Sequence, residues 1–145
     1  AARHGVDLFY SGARPEVLVQ RFCLAACRAL VVTADGEVTT CFETYGSEHP
    51  LSARFIVGSY RGGRYEIDHS RIDKYLARTA DTILHCRECF CRWHCAGDCA
   101  IKASAAGCVD AFEPTGRCAI TQELTKYLIL NKIKDSGGLI WRRGS

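Results

Sequence analysis

The residues Cys86-Arg87-Glu88-Cys89-Phe90-Cys91-Arg92-Trp93-His94-Cys95-Ala96-Gly97-Asp98-Cys99 decide how the rest of this chain is read. Within them runs the spacing Cys86-x2-Cys89-x5-Cys95-x3-Cys99. Short loops bring sulfurs together at small entropic cost, and Gly97 gives the backbone the freedom that so tight a wrap needs. Upstream lie Cys23-x3-Cys27 and then Cys41, with Gly36 five positions before Cys41; downstream, Cys118 follows Cys99 by 19 positions. These eight cysteines make two sets of four, the donor number of a tetrahedral metal or an iron-sulfur cluster. Cys91 and Cys108 are surplus. A free buried cysteine most often serves as a small apolar residue, although a slip of register brings Cys91 into a ligand set.

The bulk properties narrow the choice. A chain of 145 residues is long enough for one compact domain. With 48% hydrophobic and 24% charged residues it reads as globular, and no apolar run reaches the roughly 18 residues of a membrane span. The formal charge of +3 is spread among acids, so no basic stripe argues for nucleic acid. Ten cysteines are about 7% of the chain, just under the roughly 8–10% of disulfide scaffolds. The first ten residues carry no export pattern, so a reducing cytoplasm, in which thiols persist as metal ligands, is the expected compartment. The absence of methionine suggests a processed or excised fragment.

Local patterns supply the expected elements. Two β-prone runs, 29–33 and 37–42, joined by Ala34-Asp35-Gly36, predict a hairpin with Cys41 on its return strand. A second short hairpin is expected over 54–60 and 64–67 around Arg61-Gly62-Gly63. Asp68 or Ser70 offers an N-cap for a helix over 71–84, where Ile72, Leu76, Ala80 and Ile83 recur at helical spacing. Residues 100–106 suit a short helix, and Pro114-Thr115-Gly116 marks a turn before Cys118. Ile120, Leu124, Tyr127, Leu128 and Ile133 predict an amphipathic C-terminal helix stopped by Gly137-Gly138.

Taken in order, a cysteine, Gly-x4-Cys, the Cys-x2-Cys-x5-Cys-x3-Cys run and a last cysteine resemble the SPASM domain. That domain is named for maturases of subtilosin, pyrroloquinoline quinone, anaerobic sulfatases and mycofactocin, and is the auxiliary-cluster region of radical S-adenosylmethionine enzymes. The resemblance covers about residues 20–120 and matches the central motif without insertion or deletion. It implies two interleaved 4Fe-4S clusters. Cys23, Cys27, Cys41 and Cys99 would hold the first, with Cys23 and Cys27 as alternatives for one position, since some members leave an iron without a fourth cysteine. Cys86, Cys89, Cys95 and Cys118 would hold the second. The phrase from Phe90 to Cys99 looks most like peptide-modifying members, which implies electron relay during oxidative modification of a ribosomally made precursor peptide. Phe42 follows Cys41, where sulfatase-maturing relatives carry an aspartate, so sulfatase maturation is not supported.

The fold class expected is thus α+β, a small domain of short hairpins and helices organised around two iron-sulfur clusters and closed by the C-terminal helix. Residues 1–20 would connect to an upstream barrel, 21–120 form the twin-cluster domain, and 121–145 the helix and tail. The Cys-x3-Cys-x2-Cys loop that binds S-adenosylmethionine and a third cluster is absent. Both would belong to a preceding barrel of some two hundred residues, which with the precursor peptide is the expected partner; no nucleic acid and no membrane are expected. Three other readings stay open: two zinc sites, for which the x5 and x3 spacings are unusual, a disulfide framework, and a stand-alone electron carrier. Trp93 and His94 are expected to pack over a cluster, and Asp98 to bond the loop backbone.

Overall fold

The computed structural model describes residues 4–6, 9–25, 29–105 and 108–138. Two hairpins join into a four-stranded antiparallel sheet in the order β1-β2-β3-β4. The first pairs β1 (Val31–Val32) with β2 (Glu37–Thr39). Its turn closes where Gly36, at φ 79°, donates its N–H to the Thr33 carbonyl at 3.0 Å. Cys41 is not on the return strand as expected; it lies two residues past β2. There the Thr39 hydroxyl accepts the Cys41 N–H at 3.2 Å and stands 2.8 Å from the Thr44 hydroxyl, while Thr44 N–H donates to the Cys41 carbonyl. These local bonds, made by two buried threonines, compete with the sheet ladder and turn Cys41 out of it.

The second hairpin joins β3 (Ile56–Arg61) to β4 (Arg64–Ile67) through Gly62 and Gly63, at φ 57° and 84°. Positive φ at both central residues matches the twist of a two-residue hairpin loop. Residues 52–55, expected in part to be strand, form the single helical turn α1 (Ser52–Phe55).

Helix α2 (His69–Leu76) starts as expected, with the Asp68 carboxylate accepting the Arg71 N–H at 3.3 Å. It stops well short of residue 84. The Arg21 guanidinium takes the Leu76 carbonyl through two bonds of 3.0 and 2.8 Å, and the Ala80 N–H goes to the Gln20 carbonyl. Thr82 donates its hydroxyl to the Ala77 carbonyl at 2.8 Å. Tertiary and threonine side-chain bonds thus claim the carbonyls and N–H groups a longer helix would use.

The helix expected over 100–106 is a single turn, the Ala103 N–H donating to the Cys99 carbonyl at 2.9 Å. It leads into β5 (Ser104–Ala105), paired antiparallel with β6 (Cys108–Phe112). Helix α3 (Arg92–Cys95) is one turn. Helix α4 (Gly116–Asp135) is capped by Thr115, which turns the expected 114–116 bend into a helix start and places Cys118 in the first turn. Its buried positions are Thr121 and Thr125, whereas Ile120, Tyr127 and Leu130 are exposed. Of the expected apolar stripe, Leu124, Leu128 and Ile133 are half-buried while Ile120 and Tyr127 face outward, so the stripe packs only in part. Gly137 and Gly138, both at positive φ, end the helix, and the Gly138 N–H reaches back to the Ile133 carbonyl.

The core is divided in character. Val38, Phe55 and Val57 fill it beside the sheet, with Phe55 edge-on to Tyr75 at 5.5 Å. Around the cysteines the buried apolar residues are mostly alanine, namely Ala80, Ala96, Ala100 and Ala103, with Ile83. Alanine buries little area at roughly 25 cal/mol per Å², so hydrophobic burial contributes least where the cysteines gather. No helix among the described residues is long and apolar enough to cross a membrane.

Candidate metal centre

The decisive geometry lies between Cys95 and Cys99. Ala96, Gly97 and Asp98 follow one another in the left-handed region, at φ 52°, 77° and 56°. Gly97 adopts it freely, and a side chain there would run into Ile83. At Ala96 and Asp98 the conformation costs about 1 kcal/mol each, and the surroundings hold it in place. The buried Asp98 carboxylate accepts the Cys99 N–H at 2.7 Å and a two-pronged contact from Arg117, at 2.7 and 2.9 Å. Arg78 donates to the Gly97 carbonyl at 2.7 Å and the Asp98 carbonyl at 3.1 Å. The bend sends Cys95 and Cys99 to different neighbours.

Cys95 joins Cys86, Cys89, Cys91 and Cys118 around one cavity, which Asp98, Phe112 and Thr121 also line. Cys99 is not among its walls. Cys86 comes from a 3-10 turn (Leu84–Cys86), Cys95 from α3 and Cys118 from the start of α4. Burial pushes the Cys86 thiol up to about 12, with Cys95, Cys89 and Cys118 acting in the same sense and Arg78 against it. Burial likewise holds Cys95 at about 11, moderated by N–H groups of Asp98 and Gly97 directed at its sulfur. The Gln122 amide nitrogen lies 3.7 Å from both the Cys89 and the Cys118 sulfur. His85 Nε2 lies 3.9 Å from Cys118, its ring stacked on Phe112. Cys91, fully buried, has its sulfur 3.3 Å from that of Cys89, and its thiol is raised by burial and by that contact. The Thr121 hydroxyl is buried without a hydrogen-bond partner.

Cys99 instead acts electrostatically on Cys41, as does Cys23. The Cys41 thiol is raised chiefly by burial, lowered by the Glu43 N–H, and raised again by Cys99, Glu43 and Cys23. Tyr75 senses the same three sulfurs; burial raises its hydroxyl first, and Cys23, Cys41 and Cys99 add to it. Cys23 is exposed, while Cys41 and Cys99 are half-buried. Glu43 pairs with Lys102 at 2.6 Å beside this group. Cys27 falls outside the described residues, as does the side chain of Cys108.

Seven of the eight expected ligands are thus described. They separate into Cys86, Cys89, Cys95 and Cys118 on one side and Cys23, Cys41 and Cys99 on the other, all free thiols. Among the described residues no three His, Cys, Asp or Glu side chains meet closely enough to hold a single metal ion. The larger group surrounds a cavity of about 20 Å³, room for one water, so its cysteines must rotate outward to admit anything bigger. The fit to a cluster is one of donor chemistry, five cysteines lining one cavity, and not of the spacing of their sulfurs.

Asp98 bonds the loop backbone as its position in the motif suggested. Trp93 and His94 do not line the cavity. His94 Nδ1 meets the Val17 carbonyl at 3.0 Å and the Trp93 carbonyl accepts the Val19 N–H, so the pair fastens residues 17–19 to α3. Gln122, four residues after Cys118, was readable as its neighbour on a helical face once the helix start was known. Arg78 and Arg117 carried no sequence signal, because their partners are backbone groups and a carboxylate about twenty residues away. Comparison with protein-family models, curated proteins and solved structures finds no match to this chain.

Proposed function

We propose that this chain binds two cysteine-ligated 4Fe-4S clusters and is the auxiliary-cluster region of a radical S-adenosylmethionine enzyme that modifies a ribosomally made precursor peptide. The observation that supports this best is the parting of Cys95 and Cys99: close in sequence, they join different cysteine groups. An interleaved two-cluster domain requires that partition, and a single zinc loop built from Cys86, Cys89, Cys95 and Cys99 does not. Cys86, Cys89, Cys95 and Cys118 would hold one cluster; Cys41 and Cys99, with Cys23 or Cys27, the other.

When bound, such clusters relay single electrons at potentials set by sulfur hydrogen bonds, charge and exposure. The chain's own residues supply those controls. The N–H groups of Gly97 and Asp98 turn toward the Cys95 sulfur, the Gln122 amide sits between Cys89 and Cys118, and the Glu43 N–H faces Cys41. The small alanine core around the cysteines suits a fold completed by metal. In this reading a barrel in the natural polypeptide carries S-adenosylmethionine and a third cluster, in the cytoplasm.

Anaerobic reconstitution with iron and sulfide, followed by metal analysis and visible and paramagnetic-resonance spectra, tests the proposal. About eight irons per chain are expected. A colourless protein holding two zinc ions would replace this reading with a zinc-dependent interaction module. A brown protein whose gene encodes no barrel would make it a free electron carrier.

A further inference from the structure

Arg78 stands between the two cysteine groups. Among the described residues its half-buried guanidinium donates only to the carbonyls of Gly97 and Asp98, at 2.7 and 3.1 Å, on the segment that joins Cys95 to Cys99. On one side it lines a cleft with Cys23 and Tyr75; on the other it borders a groove with His85 and Phe112 and lies 6.0 Å from the Phe112 ring centre. Its charge acts on Cys86 of one group and on Cys99 of the other. Among the described residues it makes no ion pair, and the Asp98 carboxylate, whose charge acts on it, is engaged by Arg117.

A cation drawn out of water and bonded only to neutral carbonyls is unfavourable unless negative charge comes to it. The groups it acts on besides Asp98 are thiols and the Tyr75 hydroxyl. We infer that Arg78 is the shared counter-charge of the two cysteine groups, a positioning residue that balances thiolate charge at both sites and raises their reduction potentials together. The inference rests on the two-cluster reading. Adding an electron to either site adds negative charge, and a fixed cation beside it stabilises the reduced form. Because Arg78 also pins the bend between Cys95 and Cys99, both sites receive that effect from one side chain.

The test is a redox titration, monitored by paramagnetic resonance, of anaerobically reconstituted wild type, Arg78→Met and Arg78→Lys, each with its iron content measured. Arg78→Met is expected to lower both midpoint potentials at unchanged iron content. Arg78→Lys, which keeps the charge and loses the planar fork, is expected to leave both near the wild-type values. Full iron with unchanged potentials in Arg78→Met, or a shift at one site alone, overturns the inference while the two-cluster reading stands. If Arg78→Met fails to fold, Arg78→Lys decides: potentials near wild type at both sites support the shared charge, and a loss of potential despite the retained charge overturns it. A wild-type chain that takes up no iron ends the cluster reading, and this inference with it.

Discussion

The two cysteine groups are assembled in opposite ways. Cys86, Cys89 and Cys95 come from one short stretch, and α4 adds Cys118. Cys23, Cys41 and Cys99 come from three distant ones, brought together by the hairpin β1–β2 and by the bend after Cys95. The first set is enclosed, with Cys86 and Cys91 buried and Gln122 and His85 beside its sulfurs; the second has Cys23 exposed. Loop-closure entropy grows with the length of chain enclosed. The enclosed group therefore depends on its own loop, and the open group on the folding of everything else.

The largest expected effect separates them directly. Cys86→Ala should remove about four of about eight irons and leave the spectrum of the open site, whereas Cys99→Ala should do the reverse. Iron analysis with paramagnetic resonance decides it, and a Cys99→Ala chain that loses the signal of the enclosed site would break the partition.

Asp98→Ala should blur the difference instead of sharpening it. The Asp98 carboxylate is nearly fully buried, holds Arg117 and the Cys99 N–H, and sits where the two groups meet. Its loss should cost about 2 kcal/mol of stability, read from denaturant unfolding, and reduce iron at both sites. Depletion of one site alone would show that the bend serves only one group.

A smaller effect is expected from pH on the metal-free, reduced chain. The Cys86 and Cys95 thiols rise from 9.0 to about 12 and about 11 in the folded state. A folded pKa above the unfolded one stabilises below the unfolded value and is lost as pH climbs through the folded one. The denaturant midpoint should therefore hold up to about pH 9 and fall toward pH 11, with a shallower fall in Cys86→Ala. A flat profile over that window would mean that these thiols are not buried as described.

Much of the scaffold was legible from residues alone. Gly36 and Gly62-Gly63 marked both hairpins, Asp68 marked the start of α2, and Gly137-Gly138 the end of α4, because each acts through its own backbone. The two misread helices share a cause. The helix over 71–84 and the one over 100–106 were cut short by distant groups, Arg21 on Leu76 and the β5–β6 pairing. The resemblance implied which cysteines group together, but no residue pattern pointed to the bend between Cys95 and Cys99, since Asp98, Arg117 and Arg78 act across the fold.

The bend at Ala96-Gly97-Asp98 also sets a length. Four peptide steps separate Cys95 from Cys99, and a fully extended chain gains at most about 3.6 Å per step, so their α-carbons can be no more than about 14 Å apart. Three left-handed residues in a row shorten that tether further. Any two groups bound at these thiols would be held within that covalent span, which motion elsewhere in the fold cannot stretch.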